Sequence, residues 1–252
     1  MEALLAQVQI RDPNDPSTSC VAENKSFCLN WALDNYDRYV TPTLEHILLV
    51  VISVVIGFLI AFAMAYLSHR RTYLVPGFTV ATGILFTIPS LAFFFLLLPI
   101  TGRGRDTAII ALTAFTLQII YRNIVTGLNN VPDGAKDAGI GMGMTPRQLF
   151  WKVEVPLAMP EIVAGLQVAT VSTVAIATLA AFAGGGGLGT LVFQDITFKT
   201  GVVITGFLVI TMAVIFQLLL MLLGRLLAPW RGAEEGPGRD PGMRAMLRRT
   251  AT

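Results

Sequence analysis

Residues 44–67 (LEHILLVVISVVIGFLIAFAMAYL) are apolar throughout, with Glu45 and His46 only at the start. At about 1.5 Å per residue, a helix of this length crosses a hydrocarbon layer about 30 Å thick with some tilt. Such a stretch leaves few folds open, because backbone in lipid must satisfy its own N–H and C=O groups. The chain as a whole is 54% hydrophobic and 13% charged. A soluble fold of that composition would expose large apolar patches, so the bilayer is the natural solvent.

Four further apolar segments follow, at 73–98, 107–128, 160–183 and 201–227. The expected fold is all-α and polytopic, with five transmembrane helices in a domain covering 44–227. Thr87-Ile88-Pro89-Ser90 should kink or break the second span at mid-depth, since proline removes a helical N–H. Five spans place the termini on opposite sides. The loop 68–72 (SHRRT), the segment 129–159 with Arg122, and the C-terminal end together hold twelve of the eighteen Lys and Arg. By the positive-inside rule these face the cytoplasm, and the N-terminus lies outside.

Residues 1–43 carry six Asp/Glu against three Lys/Arg and read as an extracytoplasmic segment. Glu2 stands where a signal peptide would be basic, so the first span is expected to act as its own insertion signal. Residues 30–40 (NWALDNYDRYV) suit a short interfacial helix capped by Asn30, with Trp31, Tyr36 and Tyr39 at headgroup level. Cys20 and Cys28 enclose seven residues; the spacing permits a disulfide outside the cell and equally two separate thiols. With His46 and His69 the only histidines, no metal site is expected. The tail 228–252, rich in Pro, Gly and Arg, reads as a disordered cytoplasmic segment. The net charge of +2 gives no reason to expect nucleic acid as a partner.

No span interior carries Asp, Glu, Lys or Arg. Proton-coupled transporters keep such residues in the membrane despite their cost, so this class is disfavoured. The Phe93-Phe94-Phe95 run invites a cation–π reading, but core or lipid packing explains it as well. Thr87, Ser90, Thr170, Ser172, Thr173 and Thr178 would give a pathway mild polarity, or bond between helices. Gly184-x-Gly186-x-x-Gly189 matches a dinucleotide fingerprint only formally, since no βαβ unit surrounds it.

The polar, glycine-rich island 129–159 is far longer than two spans need for a connection. Two short helices fit it. The first runs over 133–143 with Asp133 as N-cap after Pro132, and places Gly139 and Gly143 on one face open to a partner backbone. Met142 and Met144 add adaptable apolar surface. The second starts with Thr145, Pro146 and Gln148 in a capping-box pattern and stops before Pro156, with Pro160 restarting the chain into the fourth span.

Asp137-Ala138-Gly139, then Gly143, then Val153-x-Val155-Pro156 keep the spacing of the Glu-Ala-Ala…Gly…Ile-x-Leu-Pro signature of ATP-binding cassette importer permeases. Asp replaces Glu, Gly replaces the second Ala, and Val replaces both Ile and Leu. The chain thus resembles the transmembrane permease subunit of a type I importer of that superfamily. Thr87-Ile-Pro-Ser-Leu91, Gly141-Met-Gly-Met-Thr145, Lys152-Val-Glu-Val-Pro-Leu157 and Ala180-Ala-Phe-Ala-Gly-Gly-Gly-Gly-Leu-Gly189 resemble the branch that carries quaternary-ammonium osmoprotectants such as glycine betaine, carnitine and choline. Methionine-type permeases share the five-span core and stay open as an alternative.

The resemblance covers about 44–227. It implies a bacterial inner-membrane protein that is a translocation subunit and not an enzyme. It implies partner ATPase subunits that bind ATP and Mg, a second permease, identical or related, and an extracytoplasmic substrate-binding protein. It makes 129–159 the coupling loop, with Asp137, Ala138, Gly139, Met142, Gly143, Met144, Val153, Val155 and Pro156 at the ATPase contact. Pro89, Ser90, Gly186, Gly187 and Gly189 are the pathway or gate candidates. No cofactor is expected in this chain. A stand-alone secondary transporter or channel is the rival of a different class.

Overall fold

The computed structural model describes residues 20–228 apart from Ala22, and all regular structure among them is helical. A short helix, α1 (Leu29–Asp34), precedes the long apolar α2 (Asp37–Arg70). Next come α3 (Leu74–Thr87), α4 (Ser90–Thr101) and α5 (Arg105–Asn129). The island holds α6 (Asp133–Gly141) and α7 (Pro146–Leu149). A π-helical turn, Phe150–Glu154, then runs straight into α8 (Val155–Ala177). A 3-10 turn (Thr178–Ala183), α9 (Leu188–Gln194) and α10 (Lys199–Leu227) complete the order.

Four stretches are long and apolar enough to cross a membrane: α2, α5, the run Pro146–Ala183, and α10; α3 and α4 together make up to five. The break expected at Pro89 is a turn of 97°. Proline disfavours the helical region for the residue before it, and Ile88 is extended at φ −69°, ψ 127°. The helix restarts when the Phe93 N–H donates to the Pro89 carbonyl.

α5 sits at the centre, with α2, α3, α4 and α8 packed on it. Small residues let these backbones approach, as expected where lipid gives no hydrophobic drive for helices to associate. A Cβ on Gly57 would overlap the Thr116 hydroxyl across the α2–α5 contact, and one on Gly165 would overlap Asn123 across α5–α8. Two buried clusters result. One holds Leu49, Phe94, Leu112, Val174 and Leu188; the other, at the island end, holds Ala65, Tyr121, Ile124, Phe150 and Ala158. Phe93 and Phe94 are core residues of the first cluster, and Phe93 meets Phe115 edge-on at 5.6 Å. α10 is peripheral and buries only Thr200, Gly201, Thr205 and Met212.

Several boundaries differ from the sequence expectation. α2 continues to Arg70, which shortens the following connection to 71–73. The capped helix expected at 30–40 is instead α1 and the start of α2. Cys28, not Asn30, holds the cap position, and the Asn35 amide closes α1 by donating to the Trp31 carbonyl. Of the three aromatics expected at an interface, Tyr39 is buried and Trp31 packs on Phe198 at 4.7 Å, which leaves Tyr36 exposed. The glycine-rich connection after the fourth span contains α9 instead of being loop throughout. Beyond Ala228, the expected tail lies outside the described residues, as do residues 1–19.

Candidate functional site

The island is a hairpin of two helical pieces folded on each other. Pro132 takes the cap position of α6, so Asp133 is its first residue and not its cap; the Asp133 carboxylate instead pairs with Lys136 at 3.4 Å. The helix ends at Gly141, two residues short of expectation. Met142 N–H donates to the Ala138 carbonyl, Gly143 N–H to Ile140, and Met144 N–H to Gly139. Closing a helix this way needs a left-handed residue, and Gly143 has φ +75°. Gly143 therefore does not share a helical face with Gly139. Gly139 is buried inside the hairpin, where an added Cβ would sit 2.6 Å from a Leu149 methyl and close to Met144 and Val153. It admits the island's own second helix, not an outside backbone.

The second piece begins as expected. The Thr145 hydroxyl accepts from the Gln148 N–H, and the Gln148 side chain accepts from the Thr145 N–H at 2.9 Å. It does not stop before Pro156. The backbone widens into the π turn, where the Val155 N–H reaches back to the Phe150 carbonyl. Pro156 then falls in the first turn of α8, directly after the π turn. Pro160 lies inside α8 and does not restart the chain.

The nine candidate residues thus separate by position. Asp137, Ala138, Met142 and Gly143 are exposed; Met144, Val153 and Pro156 are half-buried; Gly139 and Val155 are buried. Ile140 lies beside them, 59% exposed, and Met142 is 70% exposed. Ile140, three residues on from Asp137, and Met142, just past the end of α6, are therefore exposed apolar side chains.

Sequence reasoning missed how the hairpin is fastened. His69, near the end of α2, pairs through Nε2 with the buried Glu154 carboxylate at 2.8 Å. The ring of His69 lies 5.1 Å from Phe150, Tyr66 meets Phe150 at 5.0 Å, and Phe62 meets Trp151 at 5.7 Å. Arg70 stands over the Tyr66 ring. The available signal was Glu154 itself, a carboxylate between Val153 and Val155, six positions before the expected start of the fourth span.

At the opposite end, Gly186 and Gly187 lie between the 3-10 turn and α9, and Gly189 is in the first turn of α9. Gly184, Gly186 and Gly187 have φ near +80°. Gly187 N–H donates to a Glu45 carboxylate oxygen at 3.0 Å, and Leu188 N–H donates to His46 Nδ1 at 3.3 Å. His46 Nε2 therefore carries the proton and donates it to the Val174 carbonyl at 3.1 Å. The connection 102–104 joins the same knot, with Gly104 N–H donating to Ala183 and Arg103 to Phe182. Cys20 and Cys28 are bonded to each other, with Cα atoms 6.0 Å apart. Pro89 and Ser90 form the bend between α3 and α4. The hydroxyls of Thr87, Thr170, Thr173 and Thr178 donate to carbonyls of their own helical stretches, not across to neighbours. No group of His, Cys, Asp and Glu among the described residues is arranged to hold a metal.

Comparison with known proteins fits this geometry. The chain is 34% identical over 189 residues to the choline transport system permease protein OpuBB of Bacillus subtilis, covering 74% of this chain and 87% of that one. It is 34% identical over 174 residues to the osmoprotectant import permease protein OsmW of Salmonella typhimurium, covering 67% and 81%. The fold matches a structure of the MetNI methionine ABC transporter in an inward-facing conformation, with TM-score 0.67 at 22% identity over 75% of this chain and 95% of that one. The model of one family matches residues 53–231, well over half of the chain. A multi-pass protein of the cytoplasmic membrane, the chain belongs to the binding-protein-dependent transport system inner membrane components.

Proposed function

We propose that this chain is the translocation subunit of an ATP-driven importer for quaternary-ammonium osmoprotectants of the glycine betaine, choline and carnitine type. It crosses the membrane five times, with α3 and α4 counted as one broken span. The N-terminus is outside and the island is cytoplasmic. The charge asymmetry supports this orientation, and so does the Cys20–Cys28 bond, which belongs in an oxidising compartment. The chain works beside a second permease, identical or related, and receives substrate from an extracytoplasmic binding protein. ATP and Mg are bound by separate ATPase subunits.

One observation carries the coupling role of the island. Ile140 and Met142 stand out from a polar segment that has already closed its inner side with Gly139, Leu149 and Val153. Apolar side chains left in water beside a carboxylate fit a protein partner, and methionine suits a surface that must adapt. The substrate class rests on the sequence relatives; the methionine transporter match, at 22% identity, speaks for the fold only. Against a stand-alone transporter stands the pairing of buried acids, Glu154 with His69 and Asp195 with Arg38, near helix ends.

Ile140→Asp and Met142→Asp remove no buried contact. Each should leave membrane abundance unchanged while co-purification of the ATPase and uptake fall at least tenfold. Retained ATPase binding in both variants would sink the docking role. Uptake of labelled betaine, carnitine, choline and methionine at high osmolarity tests the substrate: methionine uptake without the other three would overturn the class.

A further inference from the structure

We infer that Glu45 and His46 are positioning residues for transport, a two-residue pin that holds the outer end of the permease closed. The inference rests on the importer reading and on the orientation argued above. Four elements converge at this end, and the glycine connection 184–187 knits them together. It meets α2 through Glu45 and His46, and α8 through the His46 bond to Val174. It meets the start of α5 through the bond from Gly104 to Ala183. It leads directly into α9.

The glycine run is built around the pin. A Cβ on Gly186 would lie 2.6 Å from the Glu45 carboxylate, and one on Gly187 would lie 3.1 Å from His46 Nδ1. Positive φ at both positions keeps the backbone where side chains rarely go, and leaves it free to change conformation once released. The two residues hold differently. Glu45 is about one-third exposed, with Arg105 3.9 Å from its other oxygen. His46 is fully buried, and both ring nitrogens are used, one on α8 and one on α9. Separation of α2 from α8 therefore cannot proceed without pulling His46 from Val174 or from Leu188. The histidine thus links helix movement to release of the outer connection.

The test uses the complete transporter, this chain with its ATPase and binding protein, in proteoliposomes. Glu45→Ala and His46→Ala remove the acceptors; Glu45→Gln and His46→Asn keep an acceptor for Gly187 and Leu188. Loss of the charge-assisted bond at Glu45, or of both neutral bonds at His46, shifts the closed-to-open balance by about tenfold or more. Both alanine variants should raise ATP hydrolysis in the absence of binding protein by about tenfold and lower the substrate moved per ATP. The Gln and Asn variants should restore coupling to within about twofold of wild type. A residue with only a packing role would lower basal and stimulated hydrolysis together, in step with the amount of folded protein. That result, or an unchanged stimulation ratio in Glu45→Ala, would overturn the pin. Should His46→Ala fail to accumulate, Glu45→Ala decides, because its side chain is partly exposed and its loss opens no core cavity. A wild-type complex whose ATPase ignores loaded binding protein would instead count against the importer reading itself.

Discussion

Gly143 is held by its backbone, not by its surroundings. Nothing lies within 4 Å of where its Cβ would stand, yet its φ is +75°. An L-residue pays roughly 1–2 kcal/mol for that conformation, and asparagine pays less because its short side chain bonds locally. Gly143→Asn should therefore keep most of the uptake, whereas Gly143→Val should lose nearly all of it with the protein still in the membrane. Uptake measured in vesicles of matched protein content separates the two cases. Equal loss in both variants would mean that the partner needs a bare backbone there. Gly139 is the contrasting case. Its crowding comes from a terminal methyl of Leu149, which can swing away for an added alanine but not for a larger side chain. The sequence marks both glycines as candidates. It could not separate their reasons, because a positive φ and a close packing partner write the same letter.

The island hairpin and the end of α2 behave as one element, fastened by the His69–Glu154 pair and the aromatic stack around Phe150. The pair is lopsided: Glu154 is almost wholly buried, while the His69 side chain is 33% exposed. Removing His69 leaves a buried carboxylate without its partner, whereas removing Glu154 leaves a partly exposed ring that can bond to water. His69→Ala should then cost more stability than Glu154→Ala, with the latter at about 1–3 kcal/mol. Thermal melts of the purified chain in detergent, closed into a double-mutant cycle, would check the order. This fastening was not legible in the sequence, since 85 positions separate the two residues. The capping box at Thr145 and Gln148 was legible because its partners are three residues apart. Pro156 misled because the rule that proline ends a helix looks only at one missing N–H. The π turn before it changes which carbonyls need a donor.

Across the whole molecule, the described chain has two fastened ends joined by α2, α5 and α8. At the end opposite the island, the Cys20–Cys28 loop grips the connection between α9 and α10. The Asn24 side chain, on a residue with φ +48°, donates to the Thr197 carbonyl and accepts from the Lys199 N–H. The Thr200 hydroxyl donates to the Lys25 carbonyl, and Arg38 pairs with Asp195 at 2.5 Å. The apolar spans, the break at Pro89 and the polar island were all readable from hydropathy and local rules. This grip was not, because it joins segments more than 150 positions apart and uses ordinary polar residues. The covalent loop is short, so its loop-closure contribution is about 2–3 kcal/mol and acts on the grip alone. Cys20→Ser with Cys28→Ser, or reduction of the bond, should therefore raise amide exchange at 197–200 by about tenfold to a hundredfold. Exchange across 133–155 should stay as in wild type. Hydrogen exchange read by mass spectrometry in nanodiscs distinguishes the outcomes. If exchange rises at both ends together, the molecule opens as a single unit and the two fastenings are coupled through α2. If neither end responds, the noncovalent contacts of Asn24, Thr200 and Arg38 hold the grip without the disulfide.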